Sequence, residues 1–136
     1  MKMRAAEDIS VFLLRLVSGL LLFQAGGLKL FGWFGGMPPG IELSTLIIVA
    51  AVLEVVGGAA IMLGIFTRPI AFVLSGEMAF AYFIGHFPQG FWPIQNHGEA
   101  AVFLCFIFLF FAAHGAGKWS LDTLVLRKRE RATSTG

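Results

Sequence analysis

Residues 11–31 read VFLLRLVSGLLLFQAGGLKLF, a run greasy enough to cross a bilayer that nevertheless carries an arginine and a lysine. A charge at mid-membrane costs at least about 2.5–3.5 kcal/mol, so Arg15 and Lys29 are expected to face a protein interior and to find partners there. At about 100° per residue the two cations fall about 40° apart around a helix, near its two ends. They mark one polar seam.

Working outward, the composition suits the same solvent. Hydrophobic residues make up 57% of the 136, charged residues 13%, and the mean hydropathy is +0.83. A small soluble domain of that composition would expose too much apolar surface, whereas a membrane protein would not. One cysteine, Cys105, excludes an internal disulfide and a CxxC redox centre. The lead MKMRAAED resembles the start of a signal peptide, but the apolar run after it is too long, contains Arg15 and lacks a small-residue cleavage site. It reads as a retained first span.

Four spans are expected, at about residues 9–31, 45–66, 69–85 and 97–114, followed by a basic tail over 118–136. GWFGGMPPGIELS and HFPQGFWPIQN are loops rich in Gly, Pro and aromatic residues, while Thr67-Arg68-Pro69 is so short that spans two and three must form a hairpin. The runs lack the alternation of barrel strands, so they are helices. Eight of the ten Lys and Arg residues fall on one side of four such spans and none lies in the two long loops, which places both termini in the cytoplasm. The fold expected is thus all-α: an integral-membrane four-helix bundle, antiparallel and up-down, forming a single domain in the cytoplasmic (inner) membrane. Leu121, Leu124 and Val125 at helical spacing beside a basic cluster suggest a short helix lying on an anionic leaflet.

Counting about 1.5 Å per residue brings Arg15, Glu54 and Glu77 to similar depths. One arginine facing two carboxylates leaves a net negative site unless one glutamate holds a proton, so the layer reads as a protonatable cluster; a static knot that sets helix register is the alternative. A second layer, Lys29, His86, Asn96, His97 and Glu99, outlines an outward-facing polar pocket in which Lys29 could pair with Glu99. NHGE over residues 96–99 also reads as a capping box, with Asn96 as the cap, and Lys29 could instead snorkel to the headgroups. Met78, Tyr82 and His86 form an i, i+4, i+8 stripe that could adjoin a planar ligand or simply pack the core. His86 and His97 could approach each other, but His114 lies at the opposite face; haem is disfavoured and no metal is expected. No phosphate loop, nucleophile elbow, HExxH or dinucleotide fingerprint occurs. Gly57 and Gly58, on the face of Glu54, read as a site of close helix approach.

The series LLRLVSGLLLFQAGGLKLFGWFGG, LEVVGGAAIMLGIFTRPIA and EMAFAYFIGHFPQGFWPIQNHGEAAVFLCFIFLFFAAHGAGKWSLD resembles the DoxX family of small four-helix bacterial and archaeal membrane proteins, over about residues 11–122. Arg15, Lys29, Glu54, His86, Asn96 and Glu99 match that family's polar positions; Glu77 and Tyr82 rest on the helix reading alone. The resemblance implies a part in membrane oxidoreductase systems, since the family is named for a component associated with an archaeal terminal quinol oxidase and has relatives in thiosulfate:quinone oxidoreduction and in redox stress. It transfers no catalytic role to any residue.

The leading expectation is therefore a quinone-interacting or accessory subunit of a membrane oxidoreductase complex. An apolar slot for the tail, donors for the carbonyls and a group that can hold protons are what a quinone needs, and Arg15, Lys29, Glu54, Glu77, Tyr82, His86, Asn96 and Glu99 are the candidate ligand-binding residues. Electrons would come from a redox partner, and no nucleic-acid partner is expected. A non-catalytic assembly or anchoring protein and a small-solute or proton transporter are the alternatives; the transporter would require a homo-oligomer or alternating access.

Overall fold

The computed structural model describes residues 2–134, without the side chains of Lys2, Arg131 and Ser134. Its helices are α1 (Lys2–Phe31), α2 (Thr45–Leu63), α3 (Thr67–Ala81), a single turn α4 (Pro93–Asn96), α5 (Glu99–His114) and α6 (Leu121–Ser134), with no strand among the described residues. α3 runs on through a π turn, Tyr82–His86, and a 3-10 turn, Phe87–Gln89. Three helical runs are long and apolar enough to cross a membrane, Met3–Phe31, Thr45–Leu63 and Thr67–Gln89; α5 is as apolar but has 16 residues.

The helix begins about two turns before the expected start of span one. Lys2 to Glu7 are good helix formers by type, and Asp8 is held by an ion pair with Lys118 at 3.3 Å. The buried stripe of α1 is Arg15, Ser18, Gly19, Leu22, Gly26 and Gly27, an i, i+3, i+4, i+7, i+11, i+12 series that puts both the arginine and Leu22 on the packed face. Facing it, α2 buries Ala51, Glu54, Gly57, Gly58 and Ile61. Glycines set how closely the two helices approach: a Cβ on Gly58 would lie 2.7 Å from the Gly19 carbonyl oxygen, and one on Gly26 would lie 2.7 Å from that of Ala51. That antiparallel register carries Arg15 level with Gly64, the left-handed C-cap of α2 at φ 70°.

α3 packs most closely on α5, and Leu74 of α3 fills the notch left by Gly57 of α2. Leu22, Ile61, Ala71, Leu74, Met78, Leu104, Phe108 and Phe111 join into one core drawn from all four long apolar helices. Ser75 donates to the Cys105 carbonyl at 2.8 Å, satisfying a hydroxyl that would otherwise be stranded between α3 and α5. The phenylalanines of α5 divide as its uniform apolarity requires: Phe108 and Phe111 are fully buried, while Phe103 is 71% exposed. Val17, Val56 and Phe72 also point outward. A surface so apolar is suited to acyl chains.

Candidate functional site

Polar side chains gather in three places. The first is at the Lys29 end of α1. Lys29 Nζ donates to both carboxylate oxygens of Glu54, at 2.5 and 2.7 Å, with the lysine side chain 27% exposed and the glutamate side chain 4%. Glu77, on α3, lies close enough to interact electrostatically with both, and neither of its buried carboxylate oxygens has a hydrogen-bond partner. With both carboxyls ionised this trio carries one more negative charge than positive. It lies where the α1–α2 pair meets α3, and among the described residues it is the cluster that leaves both oxygens of a buried carboxyl unpartnered; at the other end, Arg15 Nε and Thr67 Oγ1 are the remaining buried side-chain polar atoms without a partner.

The second cluster ties the opposite end together. Arg15, 1% exposed, donates to the carbonyls of Ala116 and Trp119, each at 2.6 Å, and its guanidinium lies over the Phe12 ring. Arg68 donates to the last carbonyls of α5, Ala113 at 2.9 Å and His114 at 3.3 Å, where a cation also complements the helix dipole. Asp122 accepts from the Phe66 and Thr67 amides at 2.8 and 2.9 Å while its own amide donates to Gly64. Ser120 caps α6 by accepting from Thr123 N at 3.2 Å. Every residue of this knot has a structural use.

The third cluster closes the loop after α3. Tyr82 donates to the Phe91 carbonyl, and the rings of Tyr82 and His86 stack at 6.4 Å. Asn96, 1% exposed, donates to Gly90 O at 2.7 Å and to Tyr82 Oη at 3.2 Å, and its Oδ1 accepts from Gly98 N at 2.8 Å. His86 Nδ1 donates to the Asn96 carbonyl at 3.0 Å. Gly98 has no room for a side chain, because a Cβ there would lie 2.8 Å from the Tyr82 ring.

These contacts revise several expectations. Arg15 does face the interior, but it does not share a layer with Glu54 and Glu77; the α1–α2 register sets it at the end of α2, and Lys29 is their cation. Lys29 therefore does not pair with Glu99, which is exposed at the first turn of α5. Nor does Asn96 cap that helix: the cap is Gly98, without a side-chain bond, because Asn96 is turned inward to hold the loop. Of the expected site residues, the structure brings together Lys29, Glu54 and Glu77 as one group and Tyr82, His86 and Asn96 as another. Asp122 was missed. Ser120-Leu121-Asp122-Thr123 could be read as a helix start, but nothing in it announces a carboxylate reaching two amides of α3. No group of three or more His, Cys, Asp or Glu side chains placed to hold a metal occurs among the described residues.

A family model described as DoxX matches residues 10–87. An uncharacterized protein of Haemophilus influenzae is 45% identical over 86 residues, a match covering 61% of this chain and 64% of that protein's length. The inner membrane protein YqjF of Escherichia coli is 29% identical over 141 residues, covering 93% of this chain and 99% of that protein. No solved structure matches the chain.

Proposed function

The chain belongs to the DoxX family, and from that premise we propose that it is a quinone-interacting or accessory subunit of a membrane oxidoreductase complex in the inner membrane. The observation that carries the reading is the Lys29–Glu54–Glu77 trio, an ammonium and two carboxyls between apolar helices with two oxygens still unpartnered. A quinone head could take a hydrogen bond from the ammonium and exchange protons with a carboxyl. An apolar groove of about 370 Å³ between α2 and α3 is lined by Leu53, next to Glu54 in sequence, by Gly57, one turn after it, and by Leu74, one turn before Glu77. That groove suits part of an isoprenoid tail. Electrons would arrive from a redox protein partner.

The test is extraction of bound quinone from protein purified out of native membranes, with proteins that copurify identified alongside. Glu77→Gln keeps the shape of an unpartnered group, so it should fold as wild type and retain severalfold less quinone. Protein carrying neither quinone nor a redox partner would sink the reading. If one complex copurifies and Glu77→Gln changes nothing, the chain is a non-catalytic assembly or anchoring protein.

For topology, we propose four membrane spans, the last being α5, with both termini on the cytoplasmic side, as the clustering of Lys and Arg at one end suggests. At about 24 Å, α5 is shorter than the hydrocarbon core of about 30 Å, which local thinning of the bilayer can accommodate. An alkaline phosphatase fusion at residue 40 should be active and one after residue 134 inactive. The reverse pattern would invert the orientation.

A further inference from the structure

A second cavity, of about 920 Å³, lies at the Arg15 end between the α2–α3 turn, the end of α5 and α6. Its walls are of two kinds. Phe66, Leu121, Val125 and Leu126 are apolar, while Arg68, Lys118, Arg127 and Arg129 are cations. The one acid on the wall, Asp122, has both oxygens occupied by the Phe66 and Thr67 amides. Lys118 is paired with Asp8, and Arg68 is spent on carbonyls but keeps its charge. No ion pair engages Arg127 or Arg129 among the described residues. The groove is therefore electropositive, with Arg127 and Arg129 of α6 contributing cations to its wall.

Its apolar wall opens outward. Phe66 is 71% exposed, and Val125 and Leu126 are 52% and 59% exposed. Phe66 is held in the left-handed region at φ 45°, a conformation unfavourable for a bulky residue, and the Asp122 carboxylate on its amide helps to keep it there. The sequence thus spends a strained backbone position on a ring that points away from the core. An apolar slot beside free guanidinium groups, at the level where membrane helices end, matches a molecule that is anionic at one end and aliphatic at the other.

We propose that this groove is a binding site for one anionic phospholipid, its phosphate on the basic wall to which Arg68, Arg127 and Arg129 contribute and the head of an acyl chain against Phe66, Val125 and Leu126. The role is separate from the quinone reading and independent of which leaflet the groove faces. Bound lipid would hold α6 against the α2–α3 turn, so that the tail senses the charge of the membrane. Basic side chains near a membrane surface each strengthen binding to anionic lipid appreciably, so losing two is a large effect.

The experiment is native mass spectrometry of the full chain, delipidated in detergent and titrated with phosphatidylglycerol or phosphatidylethanolamine. Phosphatidylglycerol should bind at least about tenfold more tightly, and the exposed double substitution R127Q/R129Q should remove most of that preference. Lys128→Gln, on the same helix but off the groove, should leave it intact, and Leu126→Gln should weaken both lipids. Equal binding of the two lipids would overturn the proposal. So would an equal loss from Lys128→Gln and R127Q/R129Q, which would indicate surface charge alone, or competition by glycerol 3-phosphate at concentrations like those of the lipid, which would mean that the acyl chain contributes nothing.

Discussion

Lys29→Met should destabilise the protein by about 3–5 kcal/mol, the loss expected when one partner of a buried ion pair is removed and the other stays charged and unpaired. The asymmetry of the pair sharpens this expectation. Glu54 has a side chain only 4% exposed, between α1 and α2, and receives both of its short hydrogen bonds from Lys29. Without the ammonium, Glu54 and the neighbouring Glu77 face each other with nothing between them to offset their repulsion. Lys29, by contrast, is 27% exposed at the end of its helix and has a long stem, so Glu54→Gln leaves a cation that can turn outward to the headgroups. Glu54→Gln should therefore cost markedly less than Lys29→Met.

Replacing both partners with apolar residues of similar volume should recover most of the loss, because the penalty lies in the stranded charge rather than in missing attraction. Thermal unfolding of detergent-solubilised protein, followed by size-exclusion chromatography, measures all three variants. If Lys29→Met unfolds with the wild type, the trio is not a charge-paired unit and the quinone reading loses its donor. If the double apolar variant is stable but retains no quinone, stability and function separate at this site.

Much of this arrangement could be read from the sequence, and the failures have a common cause. The four apolar runs, the two Gly- and Pro-rich loops, the tight α2–α3 connection and the amphipathic tail all follow from local composition and spacing. So does the seam on α1, since the offset of Arg15 from Lys29 is fixed by helical periodicity. What local spacing cannot provide is the slide of one helix along another. Depth counted from presumed membrane edges put Arg15 beside Glu54, whereas the register is set by Gly19 and Gly26 meeting Gly58 and Ala51, and it moves Arg15 to Gly64. The same shift hands Glu54 to Lys29, so that Lys29 is not the partner of Glu99. NHGE misled for a related reason: Asn96 satisfies a capping pattern in sequence, but a stronger demand from Tyr82 and the Gly90 carbonyl turns its amide inward.

Arg15→Met is the second substitution with a large expected effect, and its consequences should appear far from residue 15 in sequence. The guanidinium supplies two charge-assisted hydrogen bonds to the turn between α5 and α6, each of a kind worth about 1.5–3 kcal/mol. Methionine fills the space but leaves the Ala116 and Trp119 carbonyls without a donor, so a loss of about 3 kcal/mol is expected, with the turn over 115–120 the first region to open. Proteolysis within that turn, and a change in the fluorescence of Trp119, whose ring packs edge-on against Phe12 at 5.6 Å, should report it. Arg15→Lys should rescue less than half of the loss, because one ammonium on a flexible stem cannot reproduce a planar fork aimed at two carbonyls. The decisive comparison is a double-mutant cycle between Arg15→Met and Glu54→Gln. Arg15, level with the C-cap of α2, and Glu54, near the middle of that helix, share no partner and should add to within about 0.3–0.5 kcal/mol, whereas an arginine that neutralised Glu54 would show strong coupling. Additivity would fix Arg15 as the clasp that holds the tail to the membrane helices and leave Lys29 as the cation of the proposed ligand site; coupling above about 1 kcal/mol would return Arg15 to the carboxylates and undo the register on which both assignments stand.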